Sequence, residues 1–343
     1  MDIGTFNYAI TSYIYDDLNR LSYYLPLEIN KQFGTNTEQL KGFTENDAIF
    51  KEGMYAYHYD NARSRLVEKH IPGAGWTRYV YDKNDRIVLE NDDQDGTNYW
   101  KMTRYDALSR PIMTGLLTGI GSNTRQTLQT AFDEVTTLTY EETGTSLLGY
   151  TNSSFPNASI YILPETNVKT VMYYDDYIWQ TDVNYNFQVS NAFHGQANPK
   201  AMVTGKLMRN LGTNTWQKIV MYYDYKGRVI QSFQLSNNGN LLRKDFQYRF
   251  NNELLKIRIE KKNGSNGILS TKILSYDYDH QGRKIKFKCS LNGNERTIAT
   301  YSYDAIGRMT QKSYSPSTAI GSSQTGLWTA TNTCAERKYS YHF

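Results

Sequence analysis

The sequence predicts an all-β fold, built as an array of β-hairpins, for three reasons. A six-residue pattern that begins Tyr-Asp and ends in Arg recurs six times in 343 residues. The flanking segments alternate apolar and polar residues, as in 229–235, which is the period of a strand. Tyrosine is abundant, at 30 residues, and suits half-buried strand positions. We therefore expect a curved or spiralling sheet of hairpins, with a short helical insertion near 124–135.

Each copy of the pattern is predicted to be the tip of a hairpin. An Asp at the first position of a type I turn can bond the backbone ahead of it. The fourth residue, counting from Asp, is Gly, Asn or Asp in five of the six copies, and these residues adopt positive φ most easily. A type I turn followed by such a residue forms a three-residue hairpin with a G1 bulge. We therefore predict that the Asp and Arg of the motif are structural and do not form an acid/base pair. The structural turn residues of the six copies are Tyr15, Asp16 and Arg20; Tyr81, Asp82 and Arg86; Tyr105, Asp106 and Arg110; Tyr223, Asp224, Gly227 and Arg228; Tyr278, Asp279, Gly282 and Arg283; and Tyr303, Asp304, Gly307 and Arg308.

The spacing between copies indicates one hairpin per repeat. Tyr81 and Tyr105 are 24 residues apart, and Tyr278 and Tyr303 are 25 apart. A variant copy begins at Tyr59 with one extra residue before its final Arg, and a worn copy begins at 248. A regular period of this length is typical of stacked repeats that contact their neighbours.

The pattern divides the chain into four segments. Hairpins are expected in 1–110, a divergent insertion with a short helix in 111–172, hairpins again in 173–316, and a loop with an incomplete repeat in 317–343. We expect the chain to be a piece of a longer protein, because its last repeat stops before its turn. In the insertion, Leu128, Ala131, Phe132 and Val135 have helical spacing, with Ser122 or Asn123 available as the cap. This helix is expected to pack over the sheet, and the alternative is a lid or partner-binding helix.

Composition and motifs argue against several functional classes. A net charge of +4 is too mild to indicate nucleic-acid binding, and no apolar run is long enough to predict a membrane span. No signal peptide, phosphate loop, zinc motif or nucleophile elbow is visible. We therefore expect no enzyme activity, catalytic residue, cofactor or metal. Two inert thiols are favoured over a disulfide for Cys289 and Cys334, and the histidines are scattered, at His58, His70, His194, His280 and His342.

Two stretches are weighed as ligand sites. Lys284, Lys286 and Lys288 alternate with apolar residues, so they share one sheet face. A solvated face is favoured there over a site for an acidic glycan or a lipid headgroup. The stretch 91–96 alternates acidic and amide residues before a Gly, as calcium loops do, but it lacks the closing Glu. A turn is therefore the favoured interpretation.

The repeats resemble those of the RHS/YD-repeat family, whose hallmark is Tyr-Asp-x-x-Gly-Arg. The tract 67–115, with its Pro72-Gly73-Ala74-Gly75 turn, is similar to the version in long secreted proteins of Bacteroidetes type. The resemblance covers most of the chain and is weakest over 116–171. It implies hairpins that spiral into a hollow shell, which encloses a C-terminal effector in toxin members and forms part of a cell-adhesion ectodomain in animal relatives.

The resemblance implies a non-enzymatic structural or interaction role, at the cell surface or in a secreted protein. The implied partners are the remainder of a larger RHS protein or a cell-surface glycan. One alternative is a carbohydrate-binding module that uses exposed aromatic residues. Another is the shell part of a polymorphic toxin whose effector lies outside this chain. Neither a self-cleavage signature of the Asp-Pro-x-Gly type nor an effector domain is found in the sequence.

Overall fold

The computed structural model describes residues 11–33, 43–96, 98–120, 123–136, 139–156, 161, 163–189, 193–235, 239–264 and 267–315. The chain forms two compact units, residues 1–172 and residues 173–343. Most of the regular structure is antiparallel β-sheet, which confirms the predicted all-β hairpin array. The finer division into four segments stays a prediction.

Unit 1, residues 1–172, holds a sheet in which consecutive strands pair. Strands β1 to β8 pair in chain order, and β8 pairs in addition with β10. The strands are β1 (Ser12–Tyr15), β2 (Leu21–Leu25), β3 (Tyr55–Tyr59), β4 (Leu66–Ile71), β5 (Gly75–Tyr81), β6 (Ile87–Asp92), β7 (Tyr99–Tyr105), β8 (Pro111–Thr118), β9 (Thr143–Leu147) and β10 (Val168–Tyr174), the last of which runs across the boundary. The helices are α1 (Leu27–Phe33), α2 (Ala48–Gly53) and α3 (Arg125–Asp133), with a 3-10 turn at Glu165–Asn167.

Unit 2, residues 173–343, continues the same construction. Each strand from β11 to β18 pairs antiparallel with the next one in the chain. The strands are β11 (Val203–Arg209), β12 (Trp216–Tyr223), β13 (Val229–Leu235), β14 (Leu241–Tyr248), β15 (Leu254–Lys262), β16 (Ile268–Tyr278), β17 (Lys284–Leu291), β18 (Asn294–Tyr303) and β19 (Met309–Tyr314). A 3-10 turn lies at Val183–Tyr185.

The predicted turn type is present at the repeat motifs. The amide of Gly227 donates to the carbonyl of Asp224 at 3.0 Å, and the register shifts at Tyr223, where the strand bulges. The residue after the turn has positive φ even where it carries a side chain, with 58° at Asp85 and 61° at Ser109. The motif therefore forms the three-residue hairpin with a bulge that its residues favour.

One face of the unit 1 sheet is covered by helices. Phe50 of α2 is fully buried in a cluster with Leu25 and Met54. Helix α3 packs against β5, with Leu128 and Phe132 buried, which confirms the predicted helix and its packing over the sheet.

The cap of α3 differs from the prediction. The N-terminus is capped by Thr124, whose hydroxyl accepts from the Thr127 amide at 3.2 Å. The expectation of Ser122 or Asn123 was therefore wrong for Asn123, while Ser122 lies outside the described residues. A threonine next to the predicted cap makes the same hydrogen bond one position later.

Aromatic residues before β11 cover the first strands of unit 2. Tyr177 stacks on Tyr222 with ring centroids 4.4 Å apart, and Tyr185 and Phe187 complete a cluster with Phe233. This segment carries no repeat, so the cover of each unit comes from chain between the hairpins.

The cysteine expectation needs a correction. Cys289 is buried in β17 and is not a free thiol, so the preference for two inert thiols was wrong for this residue. Cys334 falls outside the described part of the chain. Spacing alone does not show how the fold brings distant cysteines together.

Candidate functional site

The repeat turns are the most regular polar constellation in the molecule. In the copy at Asp224, one carboxylate oxygen accepts from the amides of Lys226 and Arg228, at 2.9 and 3.0 Å. The other oxygen accepts from the Arg228 Nε at 2.8 Å. Although burial alone would raise the pKa of Asp224, the hydrogen bonds from Arg228 hold it below its usual value.

The same Asp–Arg bond closes the other turns. The Nε to Oδ2 distance is 2.6 or 2.7 Å at Asp16–Arg20, Asp60–Arg65, Asp82–Arg86, Asp106–Arg110, Asp279–Arg283 and Asp304–Arg308. The carboxylate of each Asp therefore accepts hydrogen bonds from its own turn.

Six of the turns are also bonded to the following one, as the turn at Arg228 illustrates. Arg228 Nη1 donates to the carbonyl of Arg249 at 3.0 Å, and its guanidinium carbon lies 4.7 Å from the centroid of the Tyr248 ring. The Tyr248 hydroxyl donates back to the carbonyl of Val229 at 2.8 Å. The same cation–π contact, at 4.6 to 5.4 Å, joins Arg20 to Tyr59, Arg65 to Tyr81, Arg86 to Tyr105, Arg249 to Tyr278 and Arg283 to Tyr303.

The worn copy keeps this ion pair with its charges exchanged. Arg249 occupies the Asp position and Glu253 the Arg position, and Arg249 Nη1 lies 3.0 Å from Glu253 Oε2. The αL residue is retained as Asn252, with φ of 70°. Sequence comparison by residue identity missed this pair, which a comparison of charge positions would have found.

The lysines of β17 are partly engaged by neighbouring strands. Lys288 Nζ lies 3.0 Å from Asp277 Oδ2, and this hydrogen bond raises the pKa of Lys288. Lys284 Nζ lies 4.3 Å from the centroid of the Tyr276 ring. Lys286 is the register partner of Asp277. A glycan site at these three lysines stays a prediction.

The stretch 91–96 consists of the last two residues of β6 and the turn residues that follow them. Asp92 Oδ1 accepts from the amides of Gln94 and Asp95, at 3.1 and 3.0 Å. Lys101 Nζ lies 2.7 Å from Asp92 Oδ2 and 3.0 Å from Asp95 Oδ2, and these contacts raise the pKa of Lys101. The ammonium group of Lys101 therefore lies between the carboxylates, where a calcium ion would bind. No metal-ligating cluster is found among the described residues.

A buried ion pair anchors the cover of unit 1. Arg104 Nη1 donates to Glu141, and both residues are 1% exposed. Glu141 also accepts from the hydroxyls of Thr151 and Ser154, each at 2.6 Å. Burial opposes the charge on Glu141, but Arg104 and these hydroxyls leave the pKa of the carboxyl below its usual value.

A second buried cluster lies in unit 2. Arg243 lies 2.8 Å from Asp245 and 3.2 Å from Glu260, with the first two side chains fully buried. Gln231 donates to the other oxygen of Asp245 at 2.7 Å, and burial raises the pKa of Asp245. Sequence reasoning missed both buried clusters, because their members are far apart in the chain or lie on strands without a motif.

Four polar side chains form a cross-strand row on the covered face of unit 1. His58, Glu68, Arg78 and Asn91 are successive register partners on β3, β4, β5 and β6. The two nitrogens of His58 lie 3.0 Å from Glu68 and 2.8 Å from Glu45. The bond to Glu68 raises the pKa of His58, although burial opposes this. Aligning the hairpins strand by strand would have brought this row together.

The remaining histidines have separate surroundings. His70 is buried, with Nδ1 2.8 Å from the carbonyl of Met54. His194 accepts from the Tyr248 amide at 2.9 Å, and burial lowers its pKa. His280 lies in a turn, and His342 is outside the described ranges.

The chain has a low similarity, in sequence and in structure, to solved structures of much larger proteins. It aligns with crystal structures of TcdB2-TccC3, TcdB2-TccC3-TEV and TcdB2-TccC3-Cdc42, each at 12% identity and a TM-score of 0.34. The alignment covers 87% of this chain and 14% of the other, so this chain spans about a seventh of the length of those proteins. No family model and no curated protein matches the chain. None of the described helices could span a membrane.

Proposed function

We propose that this chain is a non-enzymatic structural protein, a portion of a secreted or cell-surface shell of the RHS/YD-repeat type. The observation that carries the proposal is the bonding of six repeat turns to the turn that follows each of them. Arg228 closes its own turn through Asp224 and reaches forward to the carbonyl of Arg249 and the ring of Tyr248. The repeated residues therefore connect hairpins in series, which is the function of a scaffold.

The state of the Asp and Arg side chains argues against an acid/base role for the motif. A general base needs a lone pair within reach of a substrate proton. Both oxygens of Asp224 already accept hydrogen bonds within the turn, and its side chain is buried. The hydroxyl of Tyr223 donates to the carbonyl of Val203 at 2.6 Å, so it is engaged too.

The energy of each connection supports a stiff array. A net hydrogen bond contributes about 0.5–1.5 kcal/mol, and an exposed cation–π contact about 0.5–1 kcal/mol. Contacts of this size between neighbours, repeated along a series, give the additive stability of repeat proteins. A long rigid wall can be built this way without a large globular core.

Hydrogen exchange tests whether the motif connects neighbouring hairpins. Arg228→Lys is expected to reduce amide protection in its own turn and in the turn that follows β14, because the forward contacts are lost. The matched control is Arg308→Lys, at the same motif position, where the side chain is 77% exposed. Unchanged protection in the turn after β14, or an equal effect in the control, would refute the proposal.

A row of tyrosines favours carbohydrate binding as a second candidate function. Tyr13, Tyr24 and Tyr55 lie on adjacent strands of unit 1, with ring centroids 5.1 and 5.3 Å apart. Tyr13 is 55% exposed, and flat aromatic rings in such rows can stack on sugar faces. Binding to a glycan array that persists in Tyr24→Ala would remove this candidate.

A further inference from the structure

Unit 1 contains a cavity of about 730 Å³ on the covered face of its sheet. Strands β4 to β7 form one side, and the start of α3 forms the other. Its wall includes Glu68, Arg78, Asp93, Trp100, Arg125 and Gln126. This volume lies within the range of about 300–1,000 Å³ that is usual for small-molecule sites.

The wall holds two carboxylates, Glu68 and Asp93, and both lie within ion-pair distance of Arg78, at 3.7 and 2.6 Å. Glu68 is also paired with His58. Arg125 bonds only neutral acceptors, the carbonyl of Tyr79 at 3.3 Å and the side-chain oxygen of Gln126 at 2.9 Å. No carboxylate of the described residues lies within ion-pair distance of its guanidinium.

Partial burial makes the charge of Arg125, which has no carboxylate partner at ion-pair distance among the described residues, costly. Desolvation lowers the pKa of Arg125, and only distant carboxylates such as Glu68 oppose the shift. A ligand with a negative charge would compensate this desolvation. Charge-assisted hydrogen bonds from a guanidinium to a carboxylate are among the strongest polar contacts in proteins.

The other residues of the wall indicate which uncharged groups the ligand carries. Asn123, Thr124 and Gln126 contribute amide and hydroxyl groups, which suit a ligand with several hydroxyls, whereas the amide of Asn91 is engaged by the carbonyls of Gly96 and Tyr99. Trp100 adds an apolar surface for one ring face. A single unpaired cation matches one carboxylate better than a phosphate, which carries up to two charges near neutral pH.

We propose that this cavity binds an acidic sugar, with the carboxylate on Arg125 and the ring hydroxyls on the surrounding amide and hydroxyl side chains. The site lies in unit 1 and uses neither the lysines of β17 nor the tyrosine row. It goes beyond the scaffold role, since the repeat turns do not contribute to it.

Calorimetry on the full chain tests the site with glucuronate, glucose and inorganic phosphate as probes. Glucuronate is expected to bind about tenfold or more tighter than glucose, because only the carboxylate of glucuronate forms a charge-assisted hydrogen bond with Arg125. Arg125→Gln should remove this preference, and Arg125→Lys should keep part of it. The control is Lys69→Gln, which removes one cation from the opposite face of β4 and should leave binding unchanged.

Several results would overturn the proposal. These are no binding of glucuronate to the wild type, equal affinities for glucuronate and glucose, tighter binding of phosphate, or a preference that survives in Arg125→Gln. Survival in that variant together with loss in Tyr24→Ala would place the sugar on the tyrosine row instead. If Arg125→Gln does not fold, the wild-type comparison of glucuronate with glucose still decides. The scaffold proposal is tested separately by hydrogen exchange at the turns.

Discussion

The two units cover their sheets with chain that carries no repeat, but they neutralise a buried arginine differently. In unit 1, Arg104 bonds a single carboxylate, that of Glu141. In unit 2, Arg243 contacts two carboxylates, those of Asp245 and Glu260. The turns of the two units are built alike, so the covers are where the units differ. The turns can therefore stay the same while the residues on the covered face of the sheet differ between the two units.

The number of carboxylates around a buried arginine determines how much stability is lost when one of them is removed. A buried charge that loses its only partner keeps its desolvation cost without compensation. A buried charge with two partners retains one after either is removed. The comparison therefore predicts a more fragile ion pair in unit 1 than in unit 2.

The largest effect is expected for Glu141→Gln. This change leaves Arg104 buried without a counter-ion and should lower the free energy of unfolding of unit 1 by about 3–5 kcal/mol. Denaturant titration with hydrogen exchange as the readout locates the loss in unit 1. The control is Glu142→Gln, at the exposed neighbouring position, which should change stability by less than about 0.5 kcal/mol.

Glu260→Gln should have a smaller effect, on unit 2. Arg243 keeps its contact with Asp245 in this variant, so the loss should be about 1–2 kcal/mol, in the range of one charged hydrogen bond. The same titration compares the two variants directly. Equal losses in Glu141→Gln and Glu260→Gln would break the comparison between the two covers.

The repeat turns should respond alike in the two units. Asp82 and Asp224 are 3% and 2% exposed and make the same three hydrogen bonds. Asp82→Ala and Asp224→Ala should each cost about 1–2 kcal/mol. Asp304→Ala should also destabilise, but less, because its partner Arg308 is 77% exposed. Thermal melts of the three variants check this order, and an unchanged melt for Asp224→Ala would contradict the turn's structural role.

The pH dependence should have opposite signs in the two units. His58, in unit 1, has a raised pKa, so its contribution is complete below about pH 6.5 and is lost as the pH rises through the folded pKa. His194, in unit 2, has a lowered pKa because burial disfavours its charged form and the charge of Arg228 adds to this effect. Its contribution is complete above about pH 6.5 and is lost as the pH falls through the folded pKa.

Hydrogen exchange at several pH values measures both slopes in one experiment. Between about pH 5.5 and 7.5, unit 1 should lose protection as the pH rises and unit 2 should gain it. His58→Gln should remove the slope from unit 1 alone, and His194→Gln the slope from unit 2 alone. Slopes of the same sign, or a slope in unit 1 that persists in His58→Gln, would contradict the assignment.

The edges of the hairpins could be predicted from the sequence, whereas their covered faces could not. A turn depends on residues within six positions, so Tyr303 to Arg308 contain nearly all the information for their own conformation. The row from His58 to Asn91 depends on strand register, and the pair of Arg104 and Glu141 on a contact 37 residues apart in sequence. The cavity at Arg125 combines the two kinds of feature. Helix α3, which the sequence predicts, lies over the polar row from His58 to Asn91, which the sequence does not predict.

The smallest expected effect concerns the exchanged pair in unit 2, which shows how far the turn itself can vary. Arg249→Asp should place two carboxylates together, and Glu253→Arg two guanidiniums, so each single change should cost up to about 1 kcal/mol at this partly exposed site. The double change restores the order of charges in the other turns, where the arginine at the second position reaches the next tyrosine, as Arg283 reaches Tyr303. It should therefore recover wild-type stability in a double-mutant cycle. Costs that simply add would mean that Arg249 and Glu253 are independent surface residues, and that a turn with the original order of charges cannot be built at this position.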